Sequence, residues 1–134
     1  MCRRLLERNY HKKKMENRIL IRQRKNWGLD EKRVKEAAIK ALNHWNLRED
    51  IELSIYFVGR KKAKELNVEY RKKDYYPQVL GFPMSKEKDI DGWIRLGDVV
   101  ICTQKLKYEA EFQNKSRGEI LDEWMWHGVA NLMK

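Results

Sequence analysis

The order of its apolar patterns limits what this chain can become. Short β-rich runs alternate with helix-period stretches as far as Cys102, and two helical stretches then follow with no strand between them. Ile19-Leu20-Ile21 reads as a short strand. Asp30 can cap a helix that carries Val34, Ala38, Ala41, Leu42 and Trp45 on one face, a period of about 3.6 residues. Leu53-Ser54-Ile55-Tyr56-Phe57-Val58 is β-rich and bounded by Gly59, a strand signature. Ala63, Leu66, Asn67 and Tyr70 return to helical spacing. Val79-Leu80-Gly81-Phe82-Pro83 reads as a short buried strand ended by proline. After the Asp91-Gly92 turn, Trp93 to Cys102 gives another strand, interrupted at Gly97-Asp98. Helices are expected over 104–114 and 117–133, separated by Asn114-Lys115-Ser116. Elements that alternate early and helices that gather late indicate an α+β fold with a small mixed sheet.

A chain of 134 residues makes one compact domain, able to bury roughly two thirds of its unfolded surface. Its hydrophobic share of 42%, with five Trp and six Tyr, supplies a core. No apolar run approaches the ~20 residues of a membrane span, and no signal-peptide core follows the basic start, so no membrane partner is expected. Cys2 and Cys102 are far apart with no C-x-x-C spacing, which argues against a disulfide or thiolate–zinc framework and for a reducing cytoplasm. Residues 1–16 read as a basic N-terminal extension, disordered or untranslated, with Met15 as an alternative start. Residues 17–134 form the single domain.

The net charge of +10 is unevenly placed. Residues 1–26 hold ten Lys/Arg against Glu7 and Glu16, a local +8. A second block spans 60–73, where Arg60, Lys61, Lys62, Lys64, Arg71, Lys72 and Lys73 face Glu65 and Glu69, a local +5. Basic blocks interleaved with Tyr10, Tyr70, Tyr75 and Tyr76 suit a phosphate backbone whose bases can stack. Lys61, Lys62, Lys72 and Lys73 are the candidate RNA-binding lysines. The plainer alternative is a solubilising surface.

Four segments, in order, resemble the YbeY family of rRNA-maturation endoribonucleases. They are Leu53–Val58 followed by Glu65-Leu66-Asn67-Val68-Glu69-Tyr70-Arg71-Lys72-Lys73-Asp74; Val79-Leu80-Gly81-Phe82-Pro83; Leu96-Gly97-Asp98-Val99-Val100-Ile101; and the helix from Glu119 to Leu132. The last resembles the helix that opens a His-Gly-x-x-His zinc motif, continued in the family by a glycine turn and a third histidine. The resemblance covers about 18–134. It implies a YbeY/zincin-like fold, a small four-stranded mixed sheet packed with helices. It also implies a zinc-dependent hydrolase that cuts single-stranded RNA in 16S rRNA 3′-end maturation, with the small ribosomal subunit as partner. Arg71 matches an arginine that engages RNA phosphate in the cleft, a task suited to guanidinium's planar, bidentate donation.

The departures fall at the chemistry. Tyr76-Pro77-Gln78 stands where the family has Pro-Thr-Asp, so an amide replaces a carboxylate. Gly81 stands where the family has serine. His127 matches the first zinc ligand, and position 131, one turn on, shares its helix face. That position holds Asn131, a weaker zinc donor than imidazole. The chain stops at Lys134, before the third histidine, so the domain reads as C-terminally truncated relative to the family.

Two functions from different classes follow. One is a metal-dependent endoribonuclease acting in ribosome biogenesis. The other is a catalytically impaired relative that binds rRNA or the small subunit without cleaving. A protein-interaction domain with a merely solubilising tail is a third. Among the remaining residues, Trp124, Trp126, Ile120 and Leu121 are expected in the core, His44 as a helix-end packing residue, and Cys102 as a buried small hydrophobe. Asp98 reads as a satisfied carboxylate at a bend or, alternatively, as a functional group.

Overall fold

The computed structural model describes residues 16–23, 28–47 and 49–134. The basic extension expected at 1–16 lies outside the described residues except for Glu16, whose backbone already pairs with Ile51 and Asp50. Eight elements follow in order: β1 (Asn17–Gln23), α1 (Glu31–His44), β2 (Asp50–Val58), α2 (Arg60–Arg71), β3 (Val79–Pro83), β4 (Trp93–Cys102), α3 (Thr103–Phe112) and α4 (Arg117–Leu132). The strands form one sheet in the order β1-β2-β4-β3. β1 and β4 both run parallel to β2, and β3 runs antiparallel to β4. This is the expected α+β arrangement with a four-stranded mixed sheet, the parallel pairs joined across helices as parallel pairing requires.

Period-two alternation decides which face is which. Along β2, Ile51, Leu53, Ile55 and Phe57 are buried while their neighbours are partly exposed. These four join Val34, Ala37, Ala38, Ala41 and Leu42 of α1, Leu106 of α3, and Ile120, Leu121, Trp124, Met125, Val129 and Leu132 of α4 in one core. Among the described residues, the helix on the opposite face is α2. There Ala63, Leu80, Val100 and Cys102 are buried apart from the main core, which leaves much of that face open.

The interruption expected in β4 is a β-bulge. Glu52 pairs with Arg95 but Leu53 pairs with Gly97, so Leu96 is the extra residue. The bulge resets the alternation: Ile94 before it, Leu96 within it, and Val99 and Ile101 after it all reach the helical core. Asp98 is thereby turned to the open face.

Helix ends follow local chemistry. Asp30 caps α1 by accepting from Lys32 N at 3.4 Å, and Ser116 caps α4 by accepting from Glu119 N at 3.1 Å. Asn114, at φ 53°, makes the left-handed turn between α3 and α4. Three expectations are corrected. β3 is an edge strand with only Leu80 buried, because nothing pairs on its far side among the described residues. Trp45 is the C-cap of α1 and exposed, since the helix ends one residue before it could turn inward. Trp126 is also exposed, lying edge-on to His44 and His127 at 5.5 and 5.4 Å, because the core face of α4 runs through Trp124 and Met125.

Arg33 ties α1 to α4 by a bidentate pair with Asp122 at 2.9 and 2.8 Å, and also donates to the Gly118 carbonyl at 3.1 Å. The Arg33 guanidinium holds the Asp122 carboxyl below its ordinary range, and Arg95 brings Asp91 down to about 2. Both shifts are downward, so both contributions are complete above about pH 4 and fade as pH falls through the depressed values. Asp122→Asn is expected to lower stability by about 1 kcal/mol, given how exposed the pair is. Thermal melts at pH 7 and pH 3 check this: the variant should lose less on acidification than the native chain.

Candidate functional site

The basic helix α2 presents its charges outward and is fixed by two small buried positions, Ala63 and Asn67. It has no glycine at its end. Instead Lys72 takes the left-handed conformation at φ 58°, and the N–H groups of Lys72 and Lys73 donate to the Val68 and Asn67 carbonyls, both at 3.2 Å. A non-glycine residue in that region costs about 1 kcal/mol or more. The turn gathers Arg71, Lys72 and Lys73 at one corner.

Asn67 organises that corner. It is fully buried, its Nδ2 donates to the Tyr75 carbonyl at 3.2 Å, and its Oδ1 accepts from Arg71 Nη1 at 3.3 Å. The same Nη1 donates to the Tyr75 hydroxyl at 3.2 Å. Arg71 is thus held through one nitrogen, and its Nη2 and Nε make no hydrogen bond among the described residues.

Arg71 opens onto a pocket of about 340 Å³ shared with Tyr70, Gly81, Phe82, Pro83 and Asn131. Close packing of β3 on α4 makes this possible. A Cβ at Gly81 would lie 2.9 Å from both the Asn131 Cβ and the Gly128 carbonyl oxygen, and one at Gly128 would lie 2.7 Å from Val99. The glycine in the family's serine position therefore lets the edge strand sit directly against position 131. Gln78 lies away from this pocket, exposed, its carbonyl accepting from Cys102 N at 3.0 Å.

The fold brings Arg71 and Asn131 together; His127 is exposed one turn earlier on α4 and does not line the pocket. The zinc set implied by the resemblance does not fit the residues present. Among the described residues, no three His, Cys, Asp or Glu side chains come together as a group that could hold a metal ion. His127 is one imidazole, and Asn131 adds only an amide oxygen. Asn131→His would place two imidazoles at i and i+4 on one helix face, and zinc affinity is expected to rise at least about tenfold. Calorimetric zinc titration of both proteins measures it.

Lys61, Lys62, Lys72 and Lys73 are all exposed, and the Lys72 ammonium rests on the Glu69 carbonyl at 3.1 Å. Of the tyrosines expected to stack on bases, Tyr10 lies outside the described residues. Tyr76 is covered by Arg60 at 4.4 Å and Lys64 at 4.8 Å. Tyr75 is engaged by Arg71. Tyr70 remains open, 62% exposed, with its ring edge-on to Phe82 at 5.4 Å.

Asn67 was not a sequence candidate, though its signal was present: a polar residue in the buried register of α2, next to Ala63. Asp98 is not the satisfied carboxylate expected. It accepts no hydrogen bond from the described residues, and burial pushes its carboxyl above the ordinary range.

None of the helices among the described residues is long and apolar enough to cross a membrane. The family model described as Endoribonuclease YbeY matches residues 18–133. A protein named Endoribonuclease YbeY from Aquifex aeolicus is 35% identical over 123 residues, covering 90% of this chain and 78% of the relative. One from Persephonella marina is 34% identical over 118 residues, covering 87% and 76%. Against one from Colwellia psychrerythraea the 36% identity runs over 85 residues, 63% of this chain and 54% of the relative. The chain thus spans from about half to about four fifths of the length of such relatives. The solution structure of TM1509 from Thermotoga maritima superposes with a TM-score of 0.53 over 88% of this chain and 72% of that one, at 22% identity, a likeness of fold. The family match starts inside β1 and runs through the end of α4, so it takes in every element that builds the Arg71 pocket: the chain belongs to the YbeY family of endoribonucleases.

Proposed function

We propose that this chain is a cytoplasmic endoribonuclease that takes single-stranded RNA across the Arg71 corner and acts on 16S rRNA near its 3′ end, with the small ribosomal subunit as its partner. The observation that carries this reading is the posture of Arg71. Its Nη1 is pinned by Asn67 and Tyr75, and the residue lines a pocket walled by β3 and the motif helix α4. A guanidinium so held offers two N–H groups to a phosphate without first having to be ordered. Lys61, Lys62, Lys72 and Lys73 supply the surrounding field for the flanking backbone. A single strand fits better than a duplex, because Tyr70 offers an exposed ring to an unpaired base.

The family acts with a metal, and the donors among the described residues, His127 with Asn131, do not fit zinc. What the described residues supply is phosphate binding, orientation and a stacking surface.

Changing Lys61, Lys62, Lys72 and Lys73 to glutamine tests the field. If all four meet phosphates, the slope of log affinity against log salt should become shallower by about 3, since each single-strand contact contributes about 0.7. Fluorescence anisotropy with a single-stranded oligonucleotide at several salt concentrations reads this. Binding that ignores both the salt and the four lysines would overturn the reading.

A further inference from the structure

A second hollow, of about 380 Å³, adjoins the first on the open face of the sheet. Its size is within the range of small-ligand sites. Tyr56, Leu66, Tyr70 and Phe82 give it apolar walls, Lys62 stands at its side, and Asp98 is its acidic group. Tyr70 and Phe82 line both hollows. Their two rings thus form a shared ridge, with the Arg71 guanidinium on one side and the Asp98 carboxylate on the other.

An acceptor with no donor in an apolar hollow is unfavourable unless something completes it. Here the β4 bulge turns Asp98 into that hollow when plain alternation would have sent it to the core. Phosphate is a poor occupant, since it would meet a like charge. The hollow instead matches a flat group with an apolar face and N–H donors on its edge, across the Tyr70–Phe82 ridge from a phosphate at Arg71.

We propose that this hollow is a base-reading subsite for guanine, in which the base packs against Tyr70 and Phe82 and gives its N1–H and N2–H to the two Asp98 oxygens. Guanine alone among the four bases carries two adjacent N–H donors on its pairing edge. Uracil flanks its single N–H with carbonyl oxygens, which the carboxylate repels. Lys62, at the margin, is placed for the next phosphate. The inference rests on the RNA reading above and adds a sequence preference to it.

The test compares a U-rich single-stranded hexamer carrying one guanosine with the all-uridine hexamer, by fluorescence anisotropy on the full chain. The guanosine oligomer should bind about tenfold more tightly, the scale of a good bidentate base contact. Inosine in its place, lacking the 2-amino group, should lose most of that preference. Asp98→Asn, which keeps the shape but replaces one acceptor with a donor, should bring the two oligomers to the same affinity. The inosine arm needs no variant and so is independent of how Asp98→Asn folds. Equal affinities in the native chain, or a preference that survives both inosine and Asp98→Asn, overturn the subsite while leaving RNA binding intact. Failure of the native chain to bind either oligomer overturns the RNA reading itself, and the subsite with it.

Discussion

Arg71→Ala is expected to reduce cleavage of single-stranded RNA by about 10²–10³-fold, the usual scale for removing a preorganised donor aimed at developing charge. The size follows from how the side chain is held. Asn67 is fully buried and bonded at both ends, so the guanidinium it supports at 3.3 Å keeps its direction without a cost in ordering when RNA arrives. Alanine removes the donors while leaving α2 intact, because Arg71 lies at the last helical position and is exposed. Arg71→Lys keeps the charge but not the fork, and should recover only part of the loss. If Arg71 acts on the reacting phosphate, kcat falls more than KM rises. If it only anchors the strand, the change appears in KM. Steady-state kinetics on a labelled oligonucleotide separate the two.

Gly97→Ala is expected to destabilise the fold by roughly 3–5 kcal/mol, a large share of the stability of a domain this size. Two independent penalties meet there. Its φ of 143° is a conformation that side-chain-bearing residues rarely adopt. A Cβ would also be driven onto the Phe82 carbonyl oxygen, and would come within 3.1 Å of Met84 N and 3.0 Å of Leu132. Two of those three contacts are backbone, which cannot rotate away. Relief would require β3 to move off β4, and β3 is the wall of both hollows. Urea denaturation should show the lower midpoint, and RNA binding should weaken with it even at concentrations where the variant stays folded. Gly92, with φ 86° and nothing within 4 Å of a Cβ, is the comparison. Gly92→Ala bears the backbone strain without the collision and should lose less.

The contrast between these two glycines shows where sequence reading reaches its limit. Gly92 ends a polar turn and Gly97 interrupts a strand, but neither setting tells how close a neighbouring backbone comes. Only the pairing of β4 with β3 reveals that one of them touches a neighbouring carbonyl. The strands and helices were legible, because β2 alternates cleanly and the helices carry their apolar residues at the right period. Asp30 and Ser116-to-Glu119 cap where their chemistry demands. Trp45 and Trp126 were not legible as surface residues, since a large aromatic in helical register reads as core whichever way the helix end turns. Arg71 and His127 stood out from their motifs. That Arg71 shares a pocket with Asn131 rather than His127 depends on the approach of β3 to α4 that Gly81 and Gly128 permit. Which of its two readings Asp98 takes depends on the bulge at Leu96, which reverses its facing, and bulges leave little trace in a single sequence.

On the proposed function, the Arg71 corner of this chain takes a single RNA strand and the chain cuts it. The most direct measurement incubates purified native protein and Arg71→Ala with an end-labelled RNA, once as a single strand and once annealed to its complement, and resolves the products on a denaturing gel. Internal cuts in the single strand, few in the duplex, and a loss of about 10²-fold or more with Arg71→Ala are the predicted result. Intact RNA after incubation with folded native protein, or cutting that Arg71→Ala leaves unchanged, would contradict it.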